Sequence, residues 1–163
     1  MLHLELKATQ QVTINAQELQ QVLVNLISNG VHALPEQGGE ITVGAEDWDE
    51  RGVCITVKDN GAGMNADQCS QIFNPFYSTK RQGDGTGLGL SVSYGLIRRY
   101  GGDITVESQP GEGTRFKVWL RSQPEINKDP ETFAKQLHTF ETLEHSGPDP
   151  TLAENGVGSR GSS

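Results

Sequence analysis

The chain has 163 residues, 34% of them hydrophobic, and a formal net charge of −8; that length suits one domain with room for a tail. The acidic balance, without a basic run or aromatic–basic interleaving, disfavours nucleic acid as a partner. No apolar run approaches the ~20 residues needed to span a bilayer, and the start MLHLELKATQ lacks the basic-then-apolar pattern of a signal peptide, so the expectation is a cytoplasmic domain without direct membrane insertion.

Leu2, Leu4 and Leu6 alternate with His3, Glu5 and Lys7, and QQVTIN follows; both read as strands at a sheet edge. Asn15 fits a helix N-cap, and Glu18 three residues on completes the pattern of a capping box. The helix is expected to run to about Leu34, where Pro35 and Gly38–Gly39 stop it. GEITVGAED and RGVCITVKD alternate around DWDE and predict a hairpin. ADQCSQIF reads as a short helix and NPFYSTKRQGDGTG as irregular. LGLSVSYGLIRRY predicts a second long helix, closed by Gly101–Gly102, with Arg98 and Arg99 at its negative end. DITVES and TRFKVWL form a final hairpin turned by QPGEG.

Beyond Arg121 the alternation stops. Residues 122–163 carry seven acids and three bases and read as an acidic, flexible tail, with a pattern that allows a short amphipathic helix near 131–145. The expected folded unit is therefore 1–121, an α/β domain with one sheet covered by helices on one face. Cys54 and Cys69, the only cysteines, read as reduced thiols, and neither they nor His3, His32, His138 and His145 show a metal-ligand spacing.

Three stretches carry chemistry. At 100° per residue, Asn25, Asn29 and His32 fall within roughly 60° of one another, beside an arc of Leu19, Leu23, Leu26 and Ala33 that can face the sheet. The two asparagines either point into water or line a cleft where amide oxygens help hold a hard cation. Asp59 ends an apolar strand and opens DNGAGM; this is either a plain Asx turn or a carboxylate facing a cleft, able to accept from an amino group, with Gly61 and Gly63 admitting a flat ring. GDGTGLGLS places four glycines in seven positions before a helix, where unpaired N–H groups and the dipole favour an anion. The spacing is not the dinucleotide fingerprint and the lysine-bearing P-loop pattern is absent. Lys80 can supply a mobile positive charge instead.

Taken in order, NLISNGVHAL, DNGAGM, IFNPFYSTK, GTGLGLS and GEGTRF closely resemble the ATP-binding catalytic domain of sensor histidine kinases over roughly residues 10–121. That family sits in the wider group of gyrase, MutL and heat-shock chaperone ATPases, and PFYSTK before GTGLGLSVSYGLI is most similar to the nitrogen-regulation and dicarboxylate-sensing subclass. The resemblance implies a two-layer α/β sandwich of the Bergerat type, a mixed sheet with helices on one face, that binds ATP with Mg²⁺ and releases ADP. It implies that Asn29 ligates Mg²⁺ with support from Asn25, and that Asp59 takes the adenine amino group with Thr114 helping through water. Gly61, Gly63 and Met64 would shape the adenine pocket. Phe73, Phe76 and Tyr77 would anchor one end of a mobile lid, with Thr79 and Lys80 on it and Lys80 touching the γ-phosphate. Gly85, Thr86, Gly87, Leu88, Gly89 and Leu90 would form the far end and the phosphate-approaching helix start.

Two departures bear on function. His32 stands where many relatives have lysine, which leaves it a weak phosphate role. Asn25 stands where the related hydrolases carry glutamate; an amide cannot act as a general base, which favours phosphoryl transfer over hydrolysis. No histidine lies in an acceptor context, so the implied partners are a separate dimerisation and histidine-phosphotransfer hairpin and, through it, a response regulator of a two-component system. The alternatives are an ATP hydrolase or ATP-switched clamp, a serine kinase of the anti-sigma type, or a nucleotide-sensing module without catalysis.

Overall fold

The computed structural model describes residues 1–77 and 87–123. Eight elements follow along the chain: β1 (Leu2–Leu6), α1 (Ala16–Ala33), β2 (Ile41–Trp48), β3 (Gly52–Asp59), α2 (Ala66–Gln71), α3 (Gly89–Arg99), β4 (Asp103–Gln109) and β5 (Gly113–Arg121). The strands form one sheet in the order β1-β2-β3-β5-β4. β1 is parallel to β2 and every other pairing is antiparallel, so the sheet is mixed as expected.

Strand alternation makes the two layers. Along β5, Phe116, Val118 and Leu120 are buried while Arg115, Lys117 and Trp119 face the opposite side. The inward set meets Ile41, Val43, Val57 and Ile104 of the other strands and Val22, Leu26 and Ile97 of the helices in one core. Val22, Leu26 and Ile97 are fully buried, each worth about 1.5–3 kcal/mol of apolar transfer. The outer face is polar: Lys117 and Arg115 of β5 both reach Glu107 of β4. Cys54 and Cys69 are free thiols.

Two local expectations are corrected. QQVTIN is not a strand. At its start, the Asp47 carboxylate accepts from the backbone N–H of Thr9 and Gln10 at 2.8 and 2.9 Å and from the Thr9 hydroxyl, which takes the chain off the sheet edge; Val12 and Ile14 then pack on the core as a connector. The capping box is only half made. Asn15 Oδ1 accepts from Gln17 and Glu18 N–H, but the Glu18 carboxylate turns away to the Arg99 guanidinium and the Tyr100 hydroxyl at the end of α3. A cross-helix partner that is charged outcompetes the local backbone N–H. The α2 start, by contrast, has a complete capping box between Asn65 and Gln68.

The Arg99 and Tyr100 hydrogen bonds hold the Glu18 carboxyl below its ordinary range. A depressed folded value stabilises the fold above the unfolded value of about 4.3 and loses that contribution as pH falls through the folded one. We therefore expect Glu18→Gln to lower the unfolding free energy at pH 7 by about 0.5–1 kcal/mol, and the gap to the wild type to close on titration to pH 3. Urea melts across that range measure it.

Candidate functional site

Asp59 is the last residue of β3 and is 4% exposed. Its Oδ1 accepts from Gly61 N–H at 2.8 Å and Thr114 N–H at 3.2 Å, so the carboxylate clips the turn after β3 to the start of β5. Oδ2 has no hydrogen-bond partner among the described residues. Burial pushes the Asp59 carboxyl above its ordinary value, against the opposing pull of the two N–H donors.

Two glycines allow the surrounding backbone to close. Gly63 has φ +67° and a Cβ there would lie 1.9 Å from the Gln109 carbonyl oxygen; Gly113 has φ +91° and a Cβ there would lie 2.1 Å from the Asp59 carbonyl oxygen. Ser108 joins the same three segments: its Oγ accepts from Met64 N–H at 2.8 Å, donates to the Gly113 carbonyl at 2.9 Å and lies 2.9 Å from Thr114 Oγ1. Ser108, Gly113 and Gly30 of α1, which packs against the Asp59 side chain, were not singled out from sequence. Gly113 was within a quoted motif; for Ser108 the only signal was its place in β4 opposite Thr114.

The second wall comes from α1 and α3. Asn25 Nδ2 donates to the Gly89 carbonyl at 3.2 Å and to Ser93 Oγ at 3.1 Å. Asn29 is half-buried one turn on. His32 is exposed, and its Nδ1 lies 2.5 Å from the Ser28 carbonyl, which turns the ring along its own helix. At the start of α3 no side chain among the described residues caps the helix, and the first turn of a helix favours an anion.

The described chain stops at Tyr77 and resumes at Gly87. Those two ends meet, for a Cβ on Gly87 (φ +67°) would be 2.8 Å from the Phe76 backbone. Phe73 packs on Tyr94 and Phe116 with ring centroids 5.1 and 6.5 Å away, and Tyr77, Met64 and Leu90 lie against the core. Phe76 has a φ of +64° and its side chain is 63% exposed rather than packed on the core. Thr79, Lys80, Gly85 and Thr86 lie outside the described residues, as does the pattern near 131–145.

Among the described residues no three His, Cys, Asp or Glu side chains gather as a metal site, and no helix is long and apolar enough to cross a membrane. Neutral amide oxygens from α1 fit Mg²⁺, which prefers oxygen ligands and keeps waters and phosphate oxygens for the rest of its shell. Asn25 supplies such an oxygen, since its nitrogen is spent on α3 and Oδ1 has no partner among the described residues.

A raised folded value for Asp59 means that its contribution to stability is fully present below the unfolded value of about 3.9 and lost as pH rises through the folded one. At neutral pH the buried charge is a cost to the empty domain. Asp59→Asn keeps an oxygen for both N–H donors, so its thermal midpoint at pH 7 should equal or exceed that of the wild type, with the difference narrowing toward pH 4. Calorimetric melts at the two pH values check this.

The family model described as histidine kinase-, DNA gyrase B-, and HSP90-like ATPase matches residues 14–124. Sensor histidine kinase ZraS of Klebsiella oxytoca is 45% identical over 102 residues, covering 63% of this chain and 21% of that protein, so the chain spans about a fifth of that relative's length. Among solved structures, the catalytic domain of histidine kinase ThkA is 30% identical with a TM-score of 0.63, covering 77% of this chain and 82% of that one. Full-length ShkA, solved in complex with AMPPNP, is 25% identical with a TM-score of 0.61, covering 74% of this chain and 26% of that one. With the motifs in order, the mixed sheet and the Asp59 pocket all agreeing, the chain belongs to the family of histidine kinase-, DNA gyrase B-, and HSP90-like ATPases, with sensor histidine kinase catalytic domains as its relatives.

Proposed function

We propose that this chain is the ATP-binding catalytic part of a two-component sensor histidine kinase. It binds Mg–ATP and presents the γ-phosphate to a histidine on a separate dimerisation and phosphotransfer hairpin, from which a response regulator takes the phosphoryl group. The observation that carries this reading is the buried Asp59, whose Oδ1 is occupied by two backbone donors while Oδ2 is left for an amino group.

Each wall then has a task. Asp59 accepts from the adenine 6-amino group, Thr114 assists, and Gly61, Gly63 and Met64 border the ring. The open N-terminus of α3, with Gly87, Leu88, Gly89 and Leu90, donates backbone N–H groups to the phosphates. Asn29, with Asn25 beside it, would hold Mg²⁺, which when bound supplies positive charge between the phosphates. Thr79, Lys80, Gly85 and Thr86 belong to the segment between the two adjoining ends, where Lys80 would neutralise the γ-phosphate, and His32 adds at most an outer contact. The residues of 1–121 act by positioning and charge.

At the α1 position facing the phosphates, Asn25 offers an amide, which cannot remove a proton from water. The γ-phosphoryl is therefore kept for a protein acceptor.

Titrating ATP and ADP calorimetrically, with and without Mg²⁺, tests the reading. The wild type should bind both, and Asp59→Asn should weaken each at least about tenfold, the loss of a charge-assisted hydrogen bond. Failure of a folded wild type to bind would remove the proposal. Separately, Asn25→Glu should raise basal phosphate release from ATP by restoring a base; a steady-state assay with no increase would count against transfer as the reason for the amide.

A further inference from the structure

Ser93 of α3 is 0% exposed and polar, one turn before the fully buried Ile97. A hydroxyl buried this deeply needs a reason, and its partner is Asn25 of α1. The Asn25 Nδ2 has two hydrogens and two acceptors within reach, the Gly89 carbonyl at 3.2 Å and Ser93 Oγ at 3.1 Å. A carbonyl can only accept, so the atom of the carboxamide that faces Gly89 must be nitrogen, and the flip state of Asn25 is decided. Both nitrogen hydrogens are then spent on α3, which leaves Oδ1, in the same plane at the other end of the carboxamide, with no donor among the described residues.

We propose that Ser93 is a positioning residue for phosphate and cation binding: with the Gly89 carbonyl it locks the Asn25 carboxamide so that an oxygen, never an N–H, is offered to the Mg²⁺–phosphate side of the cleft. This rests on the reading of the site as a Mg–ATP pocket. The lock also ties α1 to the first turn of α3, the same turn whose N–H groups face the phosphates, so cation holder and anion holder keep one spacing. Losing the Ser93 hydroxyl leaves one Nδ2 hydrogen unpaired and lets the amide rotate. Asp59, at the far wall, is untouched.

The experiment uses the whole chain and AMPPNP. Affinity is measured calorimetrically with and without Mg²⁺ for the wild type, Ser93→Ala, Asn25→Ala and the double variant, each checked for a cooperative melt. Ser93→Ala should reduce the gain in affinity conferred by Mg²⁺ by about 2- to 10-fold, the size of one lost hydrogen bond, while Mg²⁺-free affinity stays within about twofold. In the Asn25→Ala background the same substitution should change neither quantity, because Ser93 acts through Asn25. An unchanged Mg²⁺ gain in Ser93→Ala, an equal loss in the Asn25→Ala background, or a loss confined to Mg²⁺-free binding would each overturn the proposal. A wild type that binds AMPPNP without any Mg²⁺ gain would overturn the cation reading of the site along with it, so the two failures are told apart.

Discussion

The site depends on one buried carboxylate at the end of a central strand. Asp59 is enclosed because β3 lies between β2 and β5 and its inward face continues the row of Val53, Ile55 and Val57 to the sheet's end. An ionised group there would be costly if bare. Two backbone N–H groups reduce that cost through a single oxygen, and in doing so draw the turn after β3 and the turn before β5 to the same point. Gly63, Gly113 and Ser108 complete the closure, because only backbone without a Cβ can pass so near and one hydroxyl then serves three strangers in sequence. The second oxygen is what remains for a ligand.

The opposite wall is built by different physics. There the backbone itself is a functional group: a helix start that no described side chain caps offers N–H donors and positive potential. This suits a protein of net charge −8 that must still attract a polyphosphate. A local, directional source of positive potential is less affected by distant acids than a diffuse one, given screening over about 8–10 Å in physiological salt. α1 runs beside both walls, giving Gly30 to the Asp59 side and Asn25 to the α3 side.

α1 and α3 are joined at both ends of their contact by polar groups, Glu18 with Arg99 and Tyr100 at one end and Asn25 with Gly89 and Ser93 at the other, with Leu26 and Ile97 in the core layer between. The polar pairs add directional hydrogen bonds to the interlocking apolar packing, and the one nearer the cleft fixes which way the Asn25 carboxamide is turned.

Much was legible from sequence because its causes are local. Alternation in GEITVGAED, RGVCITVKD and TRFKVWL determined three strands and which face of each is buried; Asn15 begins a helix through its own side chain; glycine at 61, 63 and 87 marked where backbone must do what side chains prevent. What escaped was decided by partners distant in sequence. Glu18 looked like half of a capping box but met Arg99, and QQVTIN looked like a strand but its start is held by Asp47. Ser93 and Ser108 are unremarkable letters until the tertiary structure sets them against Asn25 and Thr114. The sequence by itself determined the elements, the core faces and the chemistry-bearing motifs, since these follow from periodicity and backbone freedom. Only the tertiary structure decided which oxygen or hydrogen each polar side chain presents, because a hydrogen bond's direction is set by the partner it meets.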